Sequence, residues 1–343
     1  MRMAPELATM PSPLAPHDAL PFQIYTAHER PDLLRDLDQA DHPLNLLWPE
    51  FLDQDPVFQL FVPALFQIDY FSRYQFLAVE KDNVTGHEQI IGMARSIPFF
   101  WPELLTLDPT SRLSEHPKVL ATLPEGGYDT ILSWGIQQHL SREGLIDPLW
   151  SLSNDPPNAL SALSITVRGD RRRTGLAEIF IRTMKQAAID DSFRAMVVPL
   201  RPTQKPKYPS ASMEDYVQWT ISSTTDSTHC IPGPEVNSIN VTLDSHQQRN
   251  SAFDPWLRKH LRLGGRIAKV AHRSMKVRGT DEQWRKWTGV DFEARAMEAR
   301  ACVDGDVMNI FIPGGLVPVK YHCRDKIGVY VEPNVWIYHE LKD

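Results

Sequence analysis

Cysteine is scarce in this chain. Its three residues, Cys230, Cys302 and Cys323, are scattered, with no C-x-x-C pair. That set predicts neither a disulfide framework nor a zinc module. Other metal chemistry finds no footing: His87-Glu88 lacks the second histidine of a zinc-protease helix, and His322-Cys323 reads as a neighbour pair on a strand. Positive charge is in deficit as well. A net charge of −7 over 343 residues offers no basic face to a phosphate backbone, so nucleic acid is not an expected partner. A run of about 18 apolar residues, needed to span a bilayer, is missing. The N-terminus has Arg2 but no apolar stretch of a secretory signal. These absences point to a cytoplasmic protein with no membrane partner. Three catalytic motifs are also missing: G-x-x-x-x-G-K-[ST], G-x-G-x-x-G and G-x-S-x-G.

What is present is concentrated in one stretch, Ile165-Thr-Val-Arg-Gly-Asp-Arg-Arg-Arg-Thr-Gly-Leu-Ala177. Ala162 to Val167 is β-prone. The segment up to Asp191 places Leu176, Phe180, Met184 and Ala188 at helical spacing. Between them lies a basic turn with Gly175, and a further strand, Arg194 to Pro199, follows the helix. A turn entering a helix aims unpaired amides and the positive dipole end at one spot, which favours a phosphate or pyrophosphate. Gly175 lets the backbone approach the anion, and Ala177 keeps the first helical turn uncrowded. In an acidic protein the cluster Arg168, Arg171, Arg172 and Arg173 reads as a local site for a compact phosphorylated ligand, with a solvated basic turn as the alternative.

At these residues the chain resembles the GCN5-related N-acetyltransferase superfamily, whose signature is this strand, an Arg/Gln-x-x-Gly-x-Gly/Ala turn and a helix. The resemblance implies an α/β fold: a mixed central sheet flanked by helices, here with large insertions and extra C-terminal strands. It implies that acetyl-CoA or another acyl-CoA is the co-substrate, with no metal. The residues that would hold it are Ile165, Thr166 and Val167 on the strand, then Arg172, Arg173, Thr174, Gly175, Leu176 and Ala177. Phe253-Asp-Pro-Trp-Leu-Arg-Lys-His260-Leu-Arg-Leu-Gly264 resembles the family's helix ending in Tyr-x-x-x-Gly-Phe. Two positions depart from it: His260 stands where the tyrosine sits, and Gly265 replaces the phenylalanine. Arg201-Pro-Thr203, Phe253-Asp-Pro-Trp256 and Val331-Glu-Pro-Asn-Val-Trp336 are similar to segments of larger relatives.

Along the chain, residues 1–20 read as a mobile tail, and residues 21–343 as one elaborated domain with insertions at about 99–158 and 221–252. Asp32 to Ala40 and Pro56 to Phe66 read as helices. Tyr74 to Glu80 and Gln89 to Ile97 read as a hairpin. The first insertion carries an amphipathic stretch, Tyr128 to His139, and the second is rich in Ser, Thr, Asn and Asp, suiting a lid or binding loop. Ile267 to Val277 reads as a strand. The C-terminal third reads as four strands, two of them Gly328 to Val331 and Val335 to His339.

Acyl transfer to a small-molecule acceptor, most simply an amine, is the expected function. His260, at the family's tyrosine position, is the candidate acid or base, titrating near neutrality; packing at the helix end is its other reading. Asp254, Glu332 and Glu340 are candidate bases in apolar or proline-rigid surroundings. Tyr208, Tyr216 and Trp219 are candidate substrate contacts. Phe99, Phe100, Trp101, Trp150, Trp219 and Trp256 suit either an apolar acceptor or a packed core. The alternatives are altered thioester chemistry, such as decarboxylation, or a non-catalytic CoA-binding module.

Overall fold

The computed structural model describes residues 22–37, 39, 41–82, 84–147, 154–221, 252–299 and 307–341. The expected tail, nearly all of the 221–252 insertion, Trp150, Cys230 and Cys302 lie outside the described residues.

Nine strands join one mixed sheet: β1 (Gln23–Thr26), β2 (Gln75–Lys81), β3 (Glu88–Phe99), β4 (Ala159–Val167), β5 (Ala195–Leu200), β6 (Gly265–Thr280), β7 (Val307–Ile310), β8 (Val319–His322) and β9 (Ile327–Glu340). Their order is β1-β2-β3-β4-β5-β9-β8-β7, with β6 paired along the other side of β9. Among the described strands, only β4 and β5 pair in parallel. The expected hairpin is β2 and β3, in antiparallel register from Gln75↔Arg95 to Lys81↔Glu88. The last strand in sequence lies centrally, between β5 and β6, so C-terminal residues reach the middle of the sheet.

Alternation along the strands builds a core on each face. Leu160, Ala162, Met196 and Val198 pack in one cluster, Ala159, Leu163, Ala195 and Val197 in the other. The Leu176–Asp190 helix covers the first face with Leu176, Phe180, Ile181, Met184 and Ala188, the expected stripe plus one residue. It lies close: a Cβ on Gly92 of β3 would meet Leu176 Cδ2 at 2.9 Å. The Gly127–Arg142 helix, from the first insertion, covers the opposite face with Tyr128, Ile131, Leu132 and Ile136 against Ile97, Phe99 and Trp336. Phe99, Phe100 and Trp101 are core residues. Among the described residues, no helix is long and apolar enough to cross a membrane.

Three local expectations are corrected. The Pro56–Phe66 helix is two, Pro56–Phe61 and Ala64–Gln67, divided at Pro63, which lacks the N–H needed to continue the ladder. The two strands flanking Pro333 are one continuous strand, β9. Pro333 survives inside it because β6 bulges opposite: Ala271 pairs Asn334 and Met275 pairs Glu332, so no donor is required at Pro333. Cys323 is disulfide-bonded, although the sparse cysteines predict no bridge; its partner lies outside the described residues.

Candidate active site

Strands β4 and β5 begin side by side and then part. Their pairing runs from Ala159↔Ala195 to Ser161↔Val197 and stops. Beyond that point β4 stays with β3, and β5 stays with β9. A bulge drives the separation: Arg95 pairs Ser164 while Ser96 pairs Ala162, leaving Leu163 as an extra residue in β4. The parted strands open a cavity of about 520 Å³, lined on one lip by Ala162 to Ile165 and on the other by Val198 to Arg201. That volume falls in the range of small-molecule sites. Trp256, His260, Met275, Asn334, Tyr128 and Arg95 complete the wall, with residues between Leu34 and Gln67 on the remaining side.

Strand β4 leads from this cavity into the basic turn. Arg173 and Gly175 adopt left-handed conformations (φ 69° and 84°), and the helix starts at Leu176. Among the described residues, no backbone carbonyl accepts from the N–H groups of Arg173, Thr174, Gly175, Leu176 or Ala177. No atom of the described residues lies within 4 Å of the position a Cβ would take on Gly175, so among them space for an anion is open there. The four arginines divide into two pairs. Arg168 and Arg171 are held by Glu80 and Asp170, with contacts of 2.6 Å from Arg168 to Asp170 and from Arg171 to Glu80. Arg172 and Arg173 form no ion pair among the described residues. Thr166 accepts from Trp48, whose Nε1 donates to its hydroxyl at 3.2 Å.

His260 is buried in the cavity wall at the end of the Pro255–Arg262 helix. Its Nδ1 lies 3.0 Å from Nε2 of His339 on β9, and its own Nε2 has no hydrogen-bond partner among the described residues. Burial, with a smaller contribution from Lys259, pushes the His260 imidazolium down to about 3. The expectation of titration near neutrality is therefore corrected: desolvation disfavours the charged ring, and the Lys259 charge adds to it. A neutral ring cannot supply a second proton as a general acid at neutral pH.

The candidate carboxylates sit elsewhere. Asp254 caps the Pro255–Arg262 helix, accepting from Trp256 N and Leu257 N, while its other oxygen takes Gln204 N at 2.8 Å and the Tyr216 hydroxyl at 2.9 Å. Glu332, fully buried, accepts from Arg201 Nε at 2.8 Å and from the Tyr330 hydroxyl at 2.6 Å. Glu340 receives the N–H groups of Leu113 and Ser114. None of the three lines the cavity, and their partners are those of structural acceptors. Tyr208, Tyr216 and Trp219 form an aromatic cluster with Phe253, with Tyr208 and Trp219 rings 4.9 Å apart, also away from the cavity lining. Of the five described aromatics among those proposed for an acceptor, Phe99, Phe100, Trp101, Trp219 and Trp256, only Trp256 is in the wall.

The sequence reading missed the N-terminal wall. Asp55 caps the Pro56–Phe61 helix through Val57 N and Phe58 N, and its second oxygen takes Lys276 N of β6 at 2.8 Å. That anchor sets Phe58, Asp53 and Phe66 over the cavity. Arg95 was legible in one respect, as a lone charge within the apolar strand Ile90-Ile-Gly-Met-Ala-Arg-Ser-Ile97. Asp53 carries no such signal.

No protein-family model matches the chain. The chain is 34% identical over 320 residues to the arginine N-acetyltransferase avaD of Aspergillus versicolor, covering 93% of this chain and 94% of that protein. Among solved structures, the loading GNATL domain of CurA from Lyngbya majuscula is 13% identical with a TM-score of 0.41, covering 93% of this chain and 98% of that one. The GphF GNAT-like decarboxylase in complex with isobutyryl-CoA is 16% identical with a TM-score of 0.39, covering 93% and 100%. With the avaD identity extending over nearly the whole of both proteins, the chain belongs to the GCN5-related N-acetyltransferase superfamily and is an acyltransferase.

Proposed function

We propose that the protein transfers an acetyl group from acetyl-CoA to a nitrogen of a small molecule, with arginine the first acceptor to test. One observation carries the reading. A single cavity, opened where β4 and β5 part, has His260 in its wall, and its β4 lip runs directly into a turn of unbonded N–H groups. Arginine comes first because the avaD relative is named for it.

Bound acetyl-CoA would supply the activated acyl carbon. The N–H groups from Arg173 to Ala177, with the Arg172 and Arg173 side chains, suit its pyrophosphate. From Ala162 onward β4 has no β5 partner, so its backbone on that side suits an extended amide-bearing arm. His260 contributes a hydrogen bond to the acceptor. The Leu263 carbonyl favours a proton on His339, although His339 Nδ1 completes no hydrogen bond of good geometry. With His339 Nε2 turned to His260, that proton sits on Nδ1. His260 Nδ1–H then donates to His339, and the lone pair of His260 Nε2 is left to accept an N–H and aim the nitrogen.

The test is CoA thiol release, with the product mass read in parallel, for acetyl-CoA with and without arginine. Release that depends on arginine, with an acetylated product, is expected. His260→Ala should lower kcat/KM by about 10- to 100-fold, the worth of one directed hydrogen bond in catalysis, with acetyl-CoA affinity retained. Protein that binds acetyl-CoA yet releases no CoA with arginine or other amines would sink the reading. Undiminished activity in His260→Ala would remove His260 from it.

A further inference from the structure

The cavity wall holds a buried charge, Arg95, which the Tyr128 hydroxyl and, from farther off, Asp53 favour but which no carboxylate among the described residues pairs directly. Arg95 lies in β3 opposite Ser164, beside the β4 bulge. Phe58 and Phe66 place their rings 5.8 Å and 5.9 Å from its guanidinium carbon, and its Nε is buried with no hydrogen-bond partner. Among the described residues, no carboxylate comes within the 4.0 Å of an ion pair. Arginine cannot shed its proton, so this side chain stays cationic in an environment that penalises the charge. Asp53 lines the same cavity, and no described residue donates a hydrogen bond to its carboxylate. Burial raises the Asp53 carboxyl above the ordinary carboxylate range, with Arg95 acting as a partial counterweight. One fixed cation and one acid thus face the same apolar chamber without closing on each other.

We infer that Asp53 and Arg95 select a basic amino acid as acceptor, its carboxylate meeting Arg95 and its remaining cationic group meeting Asp53. The reacting nitrogen is then the one presented at His260. This inference rests on the acyl-transfer reading of the same cavity. The two residues are complementary to a guest of both signs, since each guest charge ends the desolvation penalty of its partner in the wall. A guest with one charge satisfies only one of them.

Three probes separate the two contacts: arginine, citrulline, which replaces the guanidinium by a neutral urea, and agmatine, which lacks the carboxylate. Each is measured for kcat/KM with acetyl-CoA, and for thermal shift in the presence of CoA. The wild-type protein should prefer arginine to both by about 10- to 100-fold, the usual worth of a charged hydrogen bond. Asp53→Asn should erase the preference over citrulline and keep that over agmatine. Arg95→Met, with a side chain suited to Phe58 and Phe66, should do the reverse. Affinity for acetyl-CoA, unchanged in both variants, confirms folding. If Arg95→Met fails to fold, Arg95→Lys takes its place, keeping the charge but not the two-pronged contact, and should narrow the preference over agmatine. Equal handling of the three probes by the wild type overturns the assignment. So does a drop in acetyl-CoA affinity in folded Arg95→Met, which would give the guanidinium to the co-substrate. The thermal shifts keep the two readings apart: ranked binding without CoA release supports the pocket and defeats acyl transfer, whereas CoA release without ranking defeats the pocket alone.

Discussion

Nδ1 of His260 and Nε2 of His339 lie 3.0 Å apart, joining the end of the Pro255–Arg262 helix to the central strand β9 through two buried imidazoles. Both rings resist a second proton, His339 also well below its ordinary value, because burial strips the hydration a charged ring would need, with repulsion from Lys259 added at His260 and from His260 added at His339. The pair therefore stays neutral across physiological pH. In the proposed reading the pair holds the tautomer and direction of the His260 ring.

Acid should destabilise the protein through this pair. The folded values lie below the unfolded one of about 6.5, so the unfolded chain binds more protons beneath that pH. The stability contributed by the neutral rings is complete above pH 6.5 and is lost as pH falls toward the folded value, about 3 for His260. Between pH 6.5 and pH 5, His260 alone accounts for roughly 2 kcal/mol. Denaturation midpoints at pH 7 and pH 5 should show a steeper loss in wild type than in His260→Gln; equal slopes would place the acid sensitivity elsewhere. For the same reason kcat/KM should show no inflection from His260 near neutrality.

Gly175→Asp should abolish acetyl-CoA binding and leave a folded protein. The left-handed φ of 84° costs a residue with a Cβ about 1 kcal/mol, but no atom of the described residues lies within 4 Å of that position, so the fold tolerates it. The new carboxylate repels a pyrophosphate at the turn. Thermal shift reports the result, since a ligand of the native state raises Tm by mass action. An unchanged shift in the folded variant would remove the turn from the co-substrate site.

Glu332→Gln should cost stability. The carboxylate is the ion-pair partner of Arg201, and its loss strands a buried guanidinium, a change worth about 3 kcal/mol. Chemical denaturation measures this, with kcat of the folded fraction retained. A stable variant with abolished kcat would return Glu332 to a catalytic role.

Asp254→Ala removes a helix cap and the acceptor for two further donors, Gln204 N and the Tyr216 hydroxyl. The cap alone is worth about 1 kcal/mol, and the stranded donors add about 1–3 kcal/mol. Asp254→Asn, which keeps an acceptor oxygen for the cap, should recover part of the loss. Rescue of activity without rescue of stability would contradict a structural role.

Local chemistry was legible in the chain itself. Gly175 before an amphipathic run marks a turn that only a left-handed residue completes, and Leu176, Phe180, Met184 and Ala188 mark the face that must be buried. Strands β2 to β5 follow from periodicity in the same way, whereas the helix carrying His260 is expected from the family resemblance of Phe253 to Gly264. What tertiary structure decided is everything that depends on which segments become neighbours. Arg201 meets Glu332 across 131 positions, and His260 meets His339 across 79, because β9 inserts between β5 and β6, a placement with no local signature. Burial then reverses what residue type alone suggests. A histidine expected to titrate near neutrality is held neutral, and a carboxylate expected as a base is a counter-ion. A strand arginine becomes a buried charge in a cavity wall, with no carboxylate in ion-pair range among the described residues, since the cost of a charge is set by the packing around it.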